Sequence, residues 1–384
     1  MFFIKAVIRV SSVAVLIISS WQTAAVDFNE LRKVYSQPSI TWPKAQIEES
    51  VKVKEIGLLP AITFPKNNPY SKEKITLGEM LFHDGKLSRS KQIACASCHD
   101  NELGWSDGRQ TSFGHDRQRG HRNAPTIENV AFSKSFFWDG RAETLEQQAL
   151  MPIQDPKEMN FSLPELIVRL AEIKTYRIAF EAAYGDEAIT AKRIGYALAT
   201  YQRTIRSRLS DFDRFLSAST QKNEMLKVRY RQSMSNKAIW GLHLFRTKAQ
   251  CLNCHNGPTF SDQQFHNVGL TYYKRTLQDL GRYNVTKNTD DVGKFKTPSL
   301  RGVMNSKPWM HNGVFSDMTG LLHFYNAGGI KFERDDKDKL SPQTSPLLKP
   351  LSLTKAEIEA LSAFLESITA PPAIGSSAAF IQGR

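Results

Sequence analysis

The 384-residue chain carries 51 Lys and Arg against 38 Asp and Glu, a formal charge of +13 that becomes +11 once Lys5 and Arg9 near the start are set aside. No segment approaches the roughly 18 uninterrupted apolar residues of a helical bilayer span, so no membrane-spanning helix is expected. About 360 residues remain beyond the first 25, enough for two compact domains or for one long one with extensions.

The N-terminus holds Lys5 and Arg9, an apolar run from Val10 to Ile18, and Thr23-Ala24-Ala25 ahead of the first acidic residue, Asp27. This is the pattern of a secretory signal peptide over residues 1–25, so the mature protein is expected to be soluble and exported to the periplasm. Residues 26–72 form an N-terminal segment. From Pro38 to Pro69, with Trp42-Pro43 and Pro60 breaking any long period, it reads as extended chain wrapping the surface with little regular structure.

Leu77-Gly78-Glu79-Met80-Leu81-Phe82 has helical apolar spacing and leads to Cys95-Ala96-Ser97-Cys98-His99. In such a pentapeptide the two thiols form thioethers to haem vinyl groups, and the adjacent imidazole reaches the iron. Between Leu163 and Phe215 the pattern is amphipathic helix, with Pro164 in a first turn and Leu166, Ile167, Leu170, Ile173, Ile194, Leu198, Tyr201 and Ile205 at three- and four-residue spacing.

The pattern then restarts. Trp240-Gly241-Leu242-His243-Leu244-Phe245 precedes Cys251-Leu252-Asn253-Cys254-His255, and these two pentapeptides use every cysteine. Zinc would want the Cys pairs close together or a nearby His pair, whereas here they lie 156 positions apart; redox dithiols and zinc are the competing readings. Asn123-Ala124-Pro125-Thr126-Ile127 matches Lys296-Thr297-Pro298-Ser299-Leu300, and Phe137-Trp138-Asp139-Gly140 lies opposite Met310-His311-Asn312-Gly313. A last helix, Thr354 to Ile368, opens on a capping box of Thr354 and Glu357. Strand alternation is nearly absent. The predicted fold is mainly α, two tandem cytochrome c-like haem domains with long loops, at residues 73–225 and 226–372, followed by a tail at 373–384.

Twelve positions beyond Gly140 and Gly313 stand Pro152 and Tyr325. If this place faces the iron opposite the proximal His, Tyr325 can ligate through its phenolate and Pro152 cannot, so the two irons differ. Met318 is the rival ligand, and an ordinary packed aromatic is the plainer role for Tyr325. An open iron that cleaves peroxide needs a group to move a proton between the two oxygens, and Gln148 and Glu158 follow Trp138 closely enough to be candidates. The plainer reading of Glu158 is a solvated surface acid.

These residues resemble the bacterial dihaem cytochrome c peroxidases, and among them the MauG-like branch, from about Gly78 to Leu365. The motifs are Leu81 to Asp84, both CxxCH sites, Arg122-Asn123-Ala124-Pro125, Phe137 to Arg141 and Pro298 to Arg301. The resemblance implies a peroxidatic haem on His99 with Glu158 as acid/base and Gln148 assisting, and Trp138 as an electron relay between the haems. It also implies a calcium ion held by Asn123 and the backbone carbonyls of Ser306 and Pro308, and a second-haem environment that includes His311. Tyr325 is the MauG-like choice where better-known peroxidases have Met. Gly114-His115-Asp116 instead resembles the loop whose His caps the peroxidatic iron in resting peroxidases, a loop MauG lacks; His121 is the runner-up for that role. His83, His243, His266 and His323 receive no functional role.

The expected function is reduction of hydrogen peroxide to water with electrons from a small donor protein, a c-type cytochrome or cupredoxin, by two covalent c-type haems. The alternatives are a MauG-type oxidase acting on a partner protein and a plain electron carrier. An exported haem protein makes an acidic donor, steered by charge, a better account of the basic balance than nucleic acid, although simple solubility serves equally well. A homodimer is left open.

Overall fold

The computed structural model describes residues 26–372; the predicted signal peptide and the tail lie outside the described residues. Side-chain caps set most helix starts. Asp27 accepts from the amides of Asn29 and Glu30 to open α1 (Phe28–Tyr35), and Ser71 opens α2 (Lys72–His83). Thr144 caps α3 (Leu145–Gln148), which gives way to α4 (Met151–Gln154), because Pro152 has no N–H to continue the ladder back to Gln148.

The stretch predicted as helical from Leu163 is four helices: α5 (Leu163–Ala171), α6 (Lys174–Tyr184), α7 (Ala191–Thr204) and α8 (Asp211–Ser217). Gly185, at φ +87°, ends the second of them in a left-handed cap. Then come α9 (Glu224–Arg231), α10 (Asn236–Arg246), α11 (Tyr283–Thr286), α12 (Met318–Asn326) and α13 (Lys355–Ser367), the last with its Thr354/Glu357 capping box formed. Among the described residues the strands are β1 (Phe265–His266) and β2 (Phe295–Lys296), an antiparallel pair. The molecule is mainly α.

Two buried cores organise these elements. One joins α2 to α5, α6 and α7 through Leu77, Leu81, Phe82, Leu166, Phe180 and Leu198. The other joins α8, α10, α12 and α13 through Phe212, Leu242, Phe245, Leu322, Leu361 and Phe364. In each, a glycine lets two helices meet at backbone contact: a Cβ on Gly78 would collide with the Ala197 carbonyl of α7, and one on Gly241 with the Ala360 carbonyl of α13.

The sequence repeat has a backbone counterpart. Phe137 and Met310 both take positive φ, 64° and 73°, as do Gly140 and Gly313, at 73° and 59°. Isolated bridges pair Phe136 with Ala142 and, correspondingly, Trp309 with Phe315. Thr144 caps α3 four residues after Gly140, as Asp317 caps α12 four residues after Gly313.

The N-terminal segment differs from the extended chain predicted for it. It begins with the helix α1, which Asp27 at the cap, Glu30 in the first turn and Arg32 and Lys33 in the last turn all favour. It also enters the second core, where Tyr35, Trp42 and Ile56 are buried. Its backbone amides at Glu48 and Lys54 donate to the side chains of Asn253 and Asn256, bracing the second CxxCH turn (3.1 and 3.4 Å).

Candidate functional site

Each CxxCH begins in a short 3-10 turn, Cys95–Ser97 and Cys251–Asn253, that brings the two thiols to one side and sends the histidine inward. The ring Nδ1 of His99 lies 3.1 Å from the Trp105 carbonyl, and that of His255 lies 3.0 Å from the Phe260 carbonyl. A carbonyl can only accept, so Nδ1 carries the proton and each Nε2 keeps a free lone pair. Burial lowers the pKa of both imidazoles and keeps them neutral, the form that ligates a metal.

Both sites open on one continuous cavity of about 1500 Å³, more than the roughly 300–1,000 Å³ of a pocket for one small molecule. Its wall includes all four motif cysteines, both histidines, Gln148, Pro152, Glu158, Trp138, Met318 and Tyr325. Burial pushes the thiols of Cys95 and Cys251 up to about 12 and that of Cys98 to about 11. A wall that disfavours charged sulfur suits uncharged thioethers. Cys254, Asp262 and His266 do bring ligand atoms within 4.8 Å of one another, but a thioether on Cys254 dissolves that group. It leaves His266 paired with Asp262 at 2.7 Å. The residues present therefore fit two covalently held haems.

Around the first site Glu158 carries no hydrogen bond on its carboxyl among the described residues. Burial, and then the neighbouring Asp155, push it up to about 7, with Arg141 opposing. Its charge is felt at Cys95 and Cys98, which fixes it to the first CxxCH. Gln148 lines the same cavity, and its side chain is likewise without an internal partner. Pro152 stands between them in sequence and offers no ligand atom.

In the second part of the cavity Tyr325 of α12 is half-buried, with its hydroxyl free of hydrogen bonds to the described residues. Burial raises its pKa, and Cys254 and Cys251 act in the same direction, which puts the phenol beside the second CxxCH. Met318 lines the cavity two turns earlier on the same helix.

Trp138 joins the two regions. Its Nε1 donates to the Asn123 carbonyl at 2.9 Å, its own carbonyl accepts from the Lys296 amide at 2.8 Å, and its ring meets the edge of His311 at 6.4 Å. His311 stacks on Phe295 at 3.4 Å and is held neutral, its pKa lowered to about 3 by burial. Asn123, Ser306 and Pro308 all line the cavity. The Asn123 side-chain oxygen and the other two carbonyls accept no hydrogen bond from the described residues.

His115 is placed differently from the other candidates. Its ring is not part of the cavity wall; Nε2 faces the Asp116 carboxylate at 3.4 Å and Nδ1 is buried without a partner. Its amide donates to the Glu158 carbonyl at 2.8 Å, and the next two residues, Asp116 and Arg117, take positive φ of 54° and 58°, a conformation costly for residues with a Cβ. His121 does line the cavity, with Nε2 2.7 Å from the Lys157 amine. His83 and His243 meet tyrosine hydroxyls of Tyr201 and Tyr35, at 3.4 and 3.0 Å, and His323 is exposed. Sequence reasoning passed over three polar residues of the wall: Glu128, raised to about 7 by burial, Lys296, and Asn312, whose side-chain N and O are both buried and unpartnered.

Residues 72–221 match the model of the di-haem cytochrome c peroxidase family. The methylamine utilization protein MauG of Methylophilus methylotrophus is 36% identical over 328 residues, covering 84% of this chain and 90% of its own. The cytochrome-c peroxidase IdrP1 of Pseudomonas sp. strain SCT is 36% identical over 340 residues, covering 81% and 84%. Among solved structures, a MauG-like protein associated with microbial copper homeostasis superposes with a TM-score of 0.70 at 30% identity, covering 82% of this chain and 95% of that one. The diheme peroxidase BthA from Burkholderia thailandensis shares the fold, with a TM-score of 0.65 at 20% identity over 87% and 97%. With two haem-attachment turns on one cavity and relatives above 30% identity along most of its length, the chain belongs to the di-haem cytochrome c peroxidase family.

Proposed function

We propose that the protein reduces hydrogen peroxide to water at the His99 site, using electrons delivered by a small redox protein. The observation that carries this reading is Glu158: a half-buried carboxyl whose pKa is raised to about 7, free of internal hydrogen bonds, in the wall beside the first CxxCH. When bound, the haems supply the iron that takes peroxide and the electrons that reduce it. With the haem in place, Glu158 would move a proton from one peroxide oxygen to the other, so that one leaves as water, while two donor electrons and two protons turn the second oxygen into water. Gln148 holds the peroxide for that transfer by hydrogen bonding, and Pro152 leaves the space beside them free of a competing ligand. Trp138 carries electrons between the two sites.

Tyr325, rather than Met318, would supply the second protein ligand to the iron at the His255 site, because its hydroxyl has no internal partner and feels Cys254 and Cys251. Asn123, with the carbonyls of Ser306 and Pro308, binds calcium next to Trp138. His115 is a switchable ligand of the first iron, held off the cavity in this arrangement by a strained loop whose movement would bring it in. The two cores correspond to two tandem cytochrome c-like domains, residues 73–225 and 226–372, with the segment from 26 bracing the second. The protein is periplasmic, exported by the segment 1–25; among the described residues no helix is long and apolar enough to cross a membrane.

A second reading, oxidation of side chains on a partner protein, is favoured specifically by Tyr325, and relatives named methylamine utilization protein MauG accompany it. Against it, Lys248-Ala249-Gln250 immediately precede Cys251, with no aromatic stepping stone among them. Steady-state peroxide turnover with a reduced c-type cytochrome, started from oxidised and from half-reduced protein, separates the two. Turnover supports the peroxidase; its absence from both starting states, with both haems intact, overturns it.

A further inference from the structure

Lys296 is an anomaly in the cavity wall. It sits on β2, its backbone amide bonded to the Trp138 carbonyl, and its amine reaches the Ser135 carbonyl at 2.6 Å. That is its one hydrogen bond among the described residues, and no carboxylate lies within ion-pairing distance. The other cations close to Trp138 are partnered: Arg122 binds Asp139 and Asp279, and Arg141 binds Asp139. The side chain is half-buried, its amine 5.9 Å from the Phe136 ring centroid; an ammonium drawn from water without a counter-charge is costly, and desolvation lowers the Lys296 pKa to about 8. The wall holds a second unsatisfied polar group, the Asn312 side chain, with both its nitrogen and its oxygen buried and unpartnered. Both residues line the haem cavity, and haem is an apolar disc with two carboxylates on one edge.

We propose that Lys296 is the charge partner of a haem propionate where the two halves of the molecule meet. The repeat supports this independently. Lys296 occupies the position of Asn123, so where the first half offers a neutral oxygen, the second brings its own positive charge to the Trp138 junction. An ammonium at a propionate disfavours the more positive, oxidised form of that haem, so Lys296 raises its reduction potential. This rests on the two-haem reading of the cavity.

The test is potentiometric titration, followed in the visible spectrum, of holoprotein carrying Lys296→Gln, Lys296→Met or Lys296→Arg, beside the wild type. Gln keeps a donor for the Ser135 carbonyl and removes the charge; Arg keeps the charge and the long stem. Lys296→Gln and Lys296→Met are expected to lower the midpoint of one haem and leave the other in place, while Lys296→Arg stays close to the wild type. Unchanged midpoints in the Gln variant, or an Arg variant shifted as far as Gln, overturn the proposal. If Met fails to fold, the Gln and Arg pair still decides. A pyridine haemochrome assay counts haems separately: fewer than two c-type haems in the wild type sinks the cofactor reading and this proposal with it, whereas two haems with unmoved midpoints sinks this proposal alone.

Discussion

Replacing Glu158 with Gln keeps the side chain's shape and removes its titrating proton. Burial and Asp155 raise the carboxyl from 4.5 to about 7. At pH 7 such a group is about half protonated, against roughly 0.3% for a carboxyl at the ordinary value. A shuttle must take a proton and give it back, so a value near the working pH keeps both forms populated. The direction of the pH dependence follows from the starting form. Glu158 must begin as carboxylate to accept the first proton, so turnover falls as pH drops through about 7 rather than near 4.5. Asp155 raises the value and Arg141 lowers it; Asp155→Asn therefore moves the inflection to lower pH and Arg141→Met moves it higher. Glu158→Gln erases this limb and lowers peroxide turnover about 10²- to 10⁴-fold, which at about 1.4 kcal/mol per decade is about 2.7–5.5 kcal/mol of barrier. The assay is steady-state peroxide reduction by a reduced c-type cytochrome from about pH 5 to 9, with haem content confirmed for every variant. Near-wild-type turnover in Glu158→Gln with both haems attached, or an inflection that survives the substitution, would refute the assignment.

Three other outcomes are expected. Because Pro152 and Tyr325 cannot offer the same ligand, low-temperature electron paramagnetic resonance should show two unlike haems, and Tyr325→Phe should alter one of them while both remain attached; an unaltered spectrum turns attention to Met318. His115→Gly should give an oxidised protein that turns over peroxide without prior reduction, and a wild-type first iron already high-spin at neutral pH would remove the capping role. Gly241→Ala should lower stability by about 1–3 kcal/mol, read as a fall in the thermal midpoint, because the new methyl meets the Ala360 carbonyl of α13 rather than a side chain that can turn away. A midpoint equal to the wild type's would mean that α10 and α13 can separate at little cost.

Covalent and local chemistry was legible in the sequence; three-dimensional closure was not. The CxxCH turns, the Thr354 capping box and the helical stretch after Leu163 could be read because their signals lie within a few residues. The repeat was legible for the same reason, since Gly140 and Gly313 mark positions where the backbone itself requires φ > 0. The helix α1 escaped notice among the prolines that follow it, although Asp27 and Glu30 are ordinary start signals. The place of Lys296 and Asn312 in the cavity wall could not be read at all, because a two-residue strand or a loop carries no periodicity that says which way a lysine or asparagine faces. His115 shows the opposite limit: its loop motif is visible in sequence, but only coordinates reveal that it is not part of the cavity wall while its amide holds the Glu158 carbonyl.

The two halves of the chain agree where the backbone needs them to and part where chemistry is at stake. Gly78 and Gly241 permit the same close helix crossing, Phe137 and Met310 the same left-handed turn, and Thr144 and Asp317 the same helix start. At matching places stand Pro152 and Tyr325, Trp138 and His311, Asn123 and Lys296. None of these exchanges follows from packing alone, since each swaps ligand capacity, redox activity or charge. Pro152 also shortens the helix: the segment that runs unbroken as α12 in the second half is split into α3 and α4 in the first, and Gln148, Pro152 and Glu158 all line the cavity there. The proline ring carries no ligand atom, and its missing N–H breaks the helix. Restoring continuity with Pro152→Tyr should then convert the first site toward the second, giving a more closed iron and slower peroxide binding; unchanged binding kinetics with the haem intact would mean that the helix break, and not the residue at its centre, keeps the site open.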